Sequence, residues 1–575
     1  MWLISNKSDE NLSTLYHYRD FSEYYFYTDK AINQDAEAGI QWSCDGHLFP
    51  RHPESIENGL FDQQSLLNEL YTRHHSTFID HIKGNFVIIQ LEKSRFHIYS
   101  DRFAVRKFFY WQHDQDFIIT DDLKEIVKLV HPRPSIINMA VYALTYHFTG
   151  GTTLYENVKH NVPGQVIEYT DGRLASDHYW KPDQLLHLQS RELDIKDIAH
   201  ALANSTQSGL SLADRDQISL SLTGGADTRN LLATFLQKGI KPHLYTYGNP
   251  RSADCVKASA IARGLGLNHS IHDIKMDENI FENYARKIVK KSGGLASIHR
   301  AHRLIAVEAE EQFAKWMFLG TLGGEFIKVV SEDDYIVPPI VYDNWTNNQF
   351  TLDHLHRYYE NKRLRYSHET AGQLLNFLAQ EPYLTGDVIS RKFNALSHIT
   401  AHLHDAQDVN LYSTVMEDVF TPFLDIDYLE LLFSSDFTFN HKEQIKNKFL
   451  KRMSNPVYGA EFIKATYKPL LKFKYSGEHK PSEVLFNKYT AAILKRIRQK
   501  TKPAYPPNFP LGQWMEQFVA KHLPACADHE IIRETFDIDA LLTDFKETVH
   551  FSKESYWLKF TNPIMMRFIL EEYNS

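Results

Sequence analysis
Short apolar runs broken by turns dominate the chain from Met1 to about Trp180, as in Asn85-Phe86-Val87-Ile88-Ile89-Gln90-Leu91 and Phe117-Ile118-Ile119-Thr120. Runs this short suit strands, because a helix needs about ten residues to display its period. Helical stretches interrupt them at Asp122 to Val130 and Ile136 to Tyr146, so this part reads as α+β. A polar stretch from Lys181-Pro182-Asp183-Gln184 then leads to a helical segment, Ile195 to Ser208, and places a domain boundary near there. Next comes a buried-strand pattern, Gln217 to Leu222, followed by a glycine turn and a helix ending near Gly239. A second strand, His243 to Tyr247, and a second helix, Asp254 to Arg263, follow in order. A third strand, Trp316 to Leu319, meets another glycine turn at Gly320, Gly323 and Gly324. Strand-helix alternation of this kind predicts a doubly wound parallel sheet, whose ligands sit beyond the carboxyl ends of the strands. Beyond about Asp334 the pattern is mostly helical, except that Pro503 to Pro510 reads as a loop or extended connector.

Composition narrows the classes. The chain of 575 residues carries 63 basic and 72 acidic side chains, a formal net charge of −9, with 43% hydrophobic positions. These values exclude collagen-like, disordered and disulfide-scaffold chains. An acidic balance gives no footprint for phosphate-backbone binding, so nucleic acid is not an expected partner. The first residues show no basic region followed by an apolar one, and no stretch reaches the roughly 18 apolar residues of a membrane span; a soluble, cytoplasmic protein is expected. Cys44, Cys255 and Cys526 lie far apart, which supports neither a disulfide framework nor a structural zinc site. His398 and His402 have helix-face spacing beside His404 and Asp405, but no HExxH glutamate stands between them, and chance spacing among 30 histidines explains them. His299 and Arg300 face either substrate or a surface salt bridge.

The strongest chemical signal is Leu222-Thr223-Gly224-Gly225-Ala226-Asp227-Thr228-Arg229, which joins a buried strand to a helix through two glycines. Without Cβ atoms, backbone N–H groups can approach a phosphate, and the helix N-terminus adds positive potential at the same point. Thr223 and Thr228 offer hydroxyls, and Asp227 is a hard oxygen ligand for Mg²⁺ carried by a triphosphate. The bland alternative is a turn plus an N-cap, for which Asp and Thr are favoured residues.

Thr223-Gly224-Gly225-Ala226-Asp227-Thr228 resembles the Ser-Gly-Gly-x-Asp-Ser pyrophosphate loop of the asparagine synthetase-like ATP pyrophosphatases. Tyr245-Thr246-Tyr247-Gly248 with Asp254 and Ala258 looks like that family's second strand and helix. Gly320-Thr321-Leu322-Gly323-Gly324-Glu325 is similar to Gly-Glu-Gly-Ala-Asp-Glu, and Pro422-Phe423-Leu424-Asp425 matches Pro-Phe-Leu-Asp. Gly84-Asn85-Phe86, Asp101 to Arg106 and Val162-Pro163-Gly164 resemble landmarks of the glutaminase-type domain. The resemblance implies an α/β chain in two parts. Residues 1–190 would form an Ntn-hydrolase-like α+β sandwich, and residues 191–575 a doubly wound ATP pyrophosphatase domain with a mostly helical C-terminal part. It also implies ATP and Mg²⁺ as cofactors, Leu222, Thr223, Gly224, Gly225, Asp227, Thr228, Thr246 and Gly320 as nucleotide contacts, and Asp227 and Glu325 as metal ligands.

Two departures from the family pattern carry information. The nucleophilic cysteine expected after the initiator Met is replaced by Trp2, whose indole cannot attack an amide, so glutamine is not the expected source of the amine. Family members without that cysteine include β-lactam synthetases, carbapenam synthetases and lasso-peptide cyclases, which activate a carboxylate as an acyl-adenylate. The implied function is therefore an AMP-forming amide ligase with a small-molecule or peptide carboxylate and an amine as substrates, in a biosynthetic pathway. The second departure is Gly324, where the family has a metal-binding aspartate. Either Glu325 takes over, or Asp254 contributes, or metal binds weakly and the chain is a pseudoenzyme that keeps the fold. Phe420 and Asp418 likewise replace the arginine and glutamate that precede Pro-Phe-Leu-Asp. Lys464 and Lys468, with Lys448 and Lys451 behind them, are the candidate catalytic cations alongside Glu325, to face the developing oxyanion; solvated surface lysines are the alternative reading of each. RNA modification, known for other loops of this type, lacks a recognisable RNA-binding module here, and oligomeric state is open.

Overall fold
The computed structural model describes residues 1–8, 12, 16–21, 23–29, 39–51, 62–324, 326–327, 352–365, 367–380, 405–438, 455–485, 493–494, 497, 503–548 and 554–574. Among the described residues the first part contains eleven strands: β1 (Trp2–Ser5), β2 (His17–Asp20), β3 (Tyr25–Thr28), β4 (Gln41–Pro50), β5 (Ile82–Leu91), β6 (Arg95–Ser100), β7 (Phe109–His113), β8 (Asp116–Thr120), β9 (Val158–His160), β10 (Gln165–Thr170) and β11 (Arg173–His178). They form two antiparallel sheets, ordered β2-β3-β1-β8-β7-β9 and β11-β10-β6-β5-β4.

Period-2 alternation decides how these sheets pack. Trp2 and Ile4 on β1, with Phe117 and Ile119 on β8, face Val87, Ile89, Phe96 and Ile98 of the other sheet and close one buried core. Their neighbours turn the other way. Leu3 and Ile118 meet Leu123, Ile126 and Met139 of helices beyond the first sheet, while Ile88 and Tyr99 meet Leu66, Leu67 and Leu70 beyond the second. The result is four layers, with α1 (Gln63–His74) outside one sheet and α2 (Leu123–Val130) and α3 (Ile136–Thr145) outside the other. Asp122 caps α2 and Ser135 caps α3, as their positions before apolar runs predict. Asp101 nucleates the turn after β6 by accepting the N–H groups of Phe103, Val105 and Arg106.

The second part begins with α4 (Ile195–Leu210), opened by an Asp194/Asp197 capping box. Its sheet is wholly parallel: β12 (Ile218–Ser221), β13 (His243–Tyr247), β14 (His269–His272), β15 (Trp316–Phe318) and β16 (Asp418–Phe420), in the order β14-β13-β12-β15-β16. Trp316–Phe318 is thus the fourth strand and not the third, because His-Ser-Ile-His at β14 is too short and polar to be seen as a strand. Asp418–Phe420 likewise adds a strand where the sequence reads as helical. The helices α5 (Asp227–Gln237) and α6 (Ala253–Leu265) follow β12 and β13.

Charge of opposite sign joins the two parts. Arg51 donates to Asp427 at 2.8 Å and to Glu430 at 2.6 Å, Lys83 lies 3.0 Å from both Asp425 and Asp427, and Arg106 and His47 both contact Asp418. The cations come from the sandwich and the carboxylates from the segment at and after β16. Burial lowers the Lys83 pKa, but its two carboxylates outweigh burial and raise it. Among the described residues no helix is long and apolar enough to cross a membrane.

Candidate functional site
The order of the parallel sheet changes direction between β12 and β15, and the turns after these two strands meet there. Leu222 is buried. Its N–H donates to the Tyr245 carbonyl at 2.8 Å, and its carbonyl accepts the Thr246 hydroxyl at 2.7 Å, so the end of β12 is fixed to β13. A Cβ at Gly320 would come within 2.7 Å of Thr228 Cγ2, and one at Gly323 within 2.8 Å of Asp227 Cβ. Only glycine lets the two turns pack this closely.

Helix α5 starts at Asp227 with Ala226 as its N-cap and no side-chain cap hydrogen bond. Asp227 and Thr228 therefore sit inside the helix and do not serve as the cap, contrary to the bland reading of the motif. An uncapped first turn leaves positive potential for an anion. Within the turn, Gly225 N–H donates to Thr223 Oγ1 at 3.1 Å and Thr223 N–H to Thr228 Oγ1 at 3.4 Å.

Two later segments cover this turn. Gly224 N–H donates to Asp254 Oδ1 at 3.0 Å, the Ser476 hydroxyl donates to the same oxygen at 2.7 Å, and Asn508 Nδ2 donates to Asp254 Oδ2 at 2.9 Å. The Gly224 carbonyl accepts Ser476 N–H at 3.0 Å, and a Cβ at 224 would collide with the Ser476 hydroxyl. Arg229 is fully buried, and its guanidinium donates to the Phe473 and Lys474 carbonyls while lying 4.3 Å from the Tyr475 ring centroid. Burial lowers its pKa to about 10, so it stays charged at neutral pH. Glu478 gathers Lys257, Lys474 and the Tyr505 hydroxyl. Burial raises its pKa, but those three donors outweigh burial and hold it near 2.

Around Asp227 stand Tyr428, Tyr458 and Tyr475, each raised in pKa first by burial and further by the Asp227 charge. For Tyr475 the rise reaches about 12, so the three phenols stay neutral at physiological pH. Asp227 suits a hard cation riding on a triphosphate, since Mg²⁺ takes one or two protein carboxylates and completes its shell with phosphate oxygens and water. Gly324 brings no side-chain ligand, and Glu325 lies outside the described residues, as do Lys448, Lys451, His398, His402 and His404.

The structure gathers Leu222, Thr223, Gly224, Gly225, Asp227, Thr228 and Gly320 at the meeting of the two turns. Thr246 is buried and its hydroxyl is held by Leu222 and His269. Lys464 is exposed on α7 (Asn455–Thr466), with its ammonium 3.1 Å from Glu461, and Lys468 is exposed just beyond. Arg229 and Lys257 are buried beside the turn and its covering segments, and the half-exposed Lys474 joins Lys257 on Glu478. His299 bonds Thr561 at 3.0 Å, and Arg300 pairs with Asp408, all of them buried. Ser476 and Asn508 are missing from the sequence reading because no local pattern marks them. Only the extended Pro503–Pro510 stretch hinted that this region does something other than continue a helix.

No protein-family model matches the chain, and no curated protein matches it in sequence. Among solved structures, glutamine phosphoribosylpyrophosphate amidotransferase from B. subtilis, complexed with ADP and GMP, is similar at 8% identity and a TM-score of 0.19, over 52% of this chain and 67% of that one. A structure described as the allosteric regulatory enzyme of purine biosynthesis is similar at 8% identity and a TM-score of 0.20, over 44% of this chain and 66% of that one. Likeness this loose carries no argument.

Proposed function
We propose that the chain is an ATP-dependent, AMP-forming amide ligase in which an Ntn-hydrolase-like sandwich (residues 1–190) serves as scaffold and an ATP pyrophosphatase domain (residues 191–575) performs the chemistry. The observation that supports it best is the meeting of two glycine turns at the change of strand direction, where α5 begins without a side-chain cap. There the chain's amides and the helix dipole would hold the leaving diphosphate of ATP. Asp227 would hold Mg²⁺, which when bound neutralises the departing charge. Arg229, Lys257 and Lys474 add cations within the same neighbourhood. A small-molecule or peptide carboxylate would be activated as an acyl-adenylate and captured by an amine that does not come from glutamine, since Trp2 is buried against Phe108 at 5.9 Å. The setting is a soluble biosynthetic enzyme of the cytoplasm.

The test is AMP release from ATP and Mg²⁺ across a panel of carboxylates, compared with Asp227→Ala. Release by the wild type alone supports the ligase, and equal silence of both proteins counts against it. A second reading, a nucleotide-binding pseudoenzyme, draws support from Gly324, which brings no carboxylate to the turn after β15; binding of ATP without AMP release would favour it.

A further inference from the structure
Three donors from three distant segments converge on one carboxylate at the glycine turn. Gly224 N–H comes from the turn itself, the Ser476 hydroxyl from the segment after α7, and Asn508 Nδ2 from the Pro-rich stretch, and all three are spent on Asp254. A backbone amide, a hydroxyl and a carboxamide offer a phosphate oxygen the same hydrogen bonds that they offer a carboxylate. The surroundings repeat the theme. Lys257 and Lys474, both cations, are held by Glu478, and Tyr505 ties Glu478 to the Pro-rich stretch through a 2.9 Å hydrogen bond. Arg229 anchors the intervening backbone at Phe473 and Lys474.

We infer that Gly224, Ser476 and Asn508 form an anion site filled in this state by the chain's own Asp254, and that a phosphate-bearing ligand binds by displacing that carboxylate. The inference rests on the nucleotide reading above and adds to it a built-in competitor. Swinging Asp254 aside frees three donors, with Lys257 and Lys474 close by on Glu478 to answer the incoming charge. A purely structural tie makes the opposite prediction, because cutting it would loosen the turn and weaken any ligand.

The test is calorimetric titration of the full chain with Mg²⁺-pyrophosphate and with Mg²⁺-ATP, using wild type, Asp254→Ala and Asp254→Asn. Binding about tenfold tighter in the variants is expected, the size set by removal of a charge-assisted contact. Unchanged or weaker binding in the variants overturns the inference while leaving the nucleotide reading intact if the wild type binds ATP. Silence of all three proteins overturns both. Hydrogen exchange on the wild type gives a readout that needs no variant. Added Mg²⁺-pyrophosphate should raise protection at the Ser476 amide, bonded to Gly224, and at the Asn249 amide, bonded to Asn508, because both segments then grip the ligand. Lowered or unchanged protection at both overturns the three-donor site.

Discussion
In the antiparallel sandwich the chain fills the space between its sheets mainly with apolar side chains, whereas at the edge of the parallel sheet it fills the space between its turns with donors and acceptors. Trp2, Phe108, Phe26 and Phe96 pack into one apolar cluster in the first interior, and Trp2 is only 5% exposed. Asp254, Ser476 and Asn508 occupy the second, hydrogen-bonded to one another and to Gly224 across distant sequence, with Thr223 bonded inside its own turn. Apolar burial has no directional demand and stabilises a scaffold. A convergent set of donors has a direction, and it can exchange one acceptor for another. The contrast assigns stability to the first region and ligand exchange to the second.

Trp2→Ala should break the comparison most severely. Removing a buried indole costs about 3–5 kcal/mol, read as a lower urea midpoint, while AMP release per folded molecule stays at the wild-type level. A loss of AMP release with unchanged stability would reverse the assignment of roles.

Next in size is the joint between the regions. Lys83→Met leaves Asp425, 9% exposed in its side chain, beside Asp427 with its buried cation gone. Breaking such a pair costs about 3 kcal/mol. Thermal unfolding should then split into two transitions or move to lower temperature, with each interior otherwise intact.

Acid should weaken each region through its own buried imidazoles. Burial pushes His147 to about 4 and His160 to about 3 in the sandwich. In the second region burial pushes His269, His299 and His522 to about 4 and His302 to about 3. These groups are neutral in the native state and take up protons on unfolding below their usual 6.5, so their contribution is fully present above pH 6.5 and is lost as pH falls toward 4. Asp101, raised by burial to about 6, works against that slope within the sandwich, because its native form retains a proton that the unfolded chain releases between pH 4 and 6. His302→Gln should therefore shallow the pH dependence of hydrogen-exchange protection in the second region, and His160→Gln that in the sandwich. An unchanged pH dependence in both variants would contradict the burial argument. Lys107, pushed down by burial to about 7, should add stability as pH rises from 7 toward 10.5.

How much of this was legible in the sequence follows from how local each feature is. The helices at Leu123–Val130 and Ile136–Thr145 and the strands β12, β13 and β15 were legible because their caps and apolar runs are contiguous. β14 was not, since two histidines in four residues hide a strand whose only signal is its pairing with β13. β16 was obscured for a related reason: Asp418 is buried by contact with Arg106 and His47, which no reading of Asp418-Val419-Phe420 alone reveals. The glycine turn was legible as an anion motif, but its covering residues lie more than 200 positions away, and only tertiary structure shows that Ser476 stands over Gly224.

The smallest predicted effect is the one that separates reading by spacing from reading by place. The resemblance singles out Lys464 by its position in the matching C-terminal region, yet its side chain is 53% exposed and its ammonium meets Glu461 one turn back. An exposed pair of this kind is worth about 0.5 kcal/mol or less. Lys464→Ala should leave both the unfolding midpoint and AMP release near the wild-type values. Lys474→Ala removes one of the two cations held by Glu478 beside the turn, so it should weaken Mg²⁺-ATP binding at equal stability. If the two substitutions exchange these outcomes, the site lies on the exposed face of α7 rather than at the meeting of the two glycine turns.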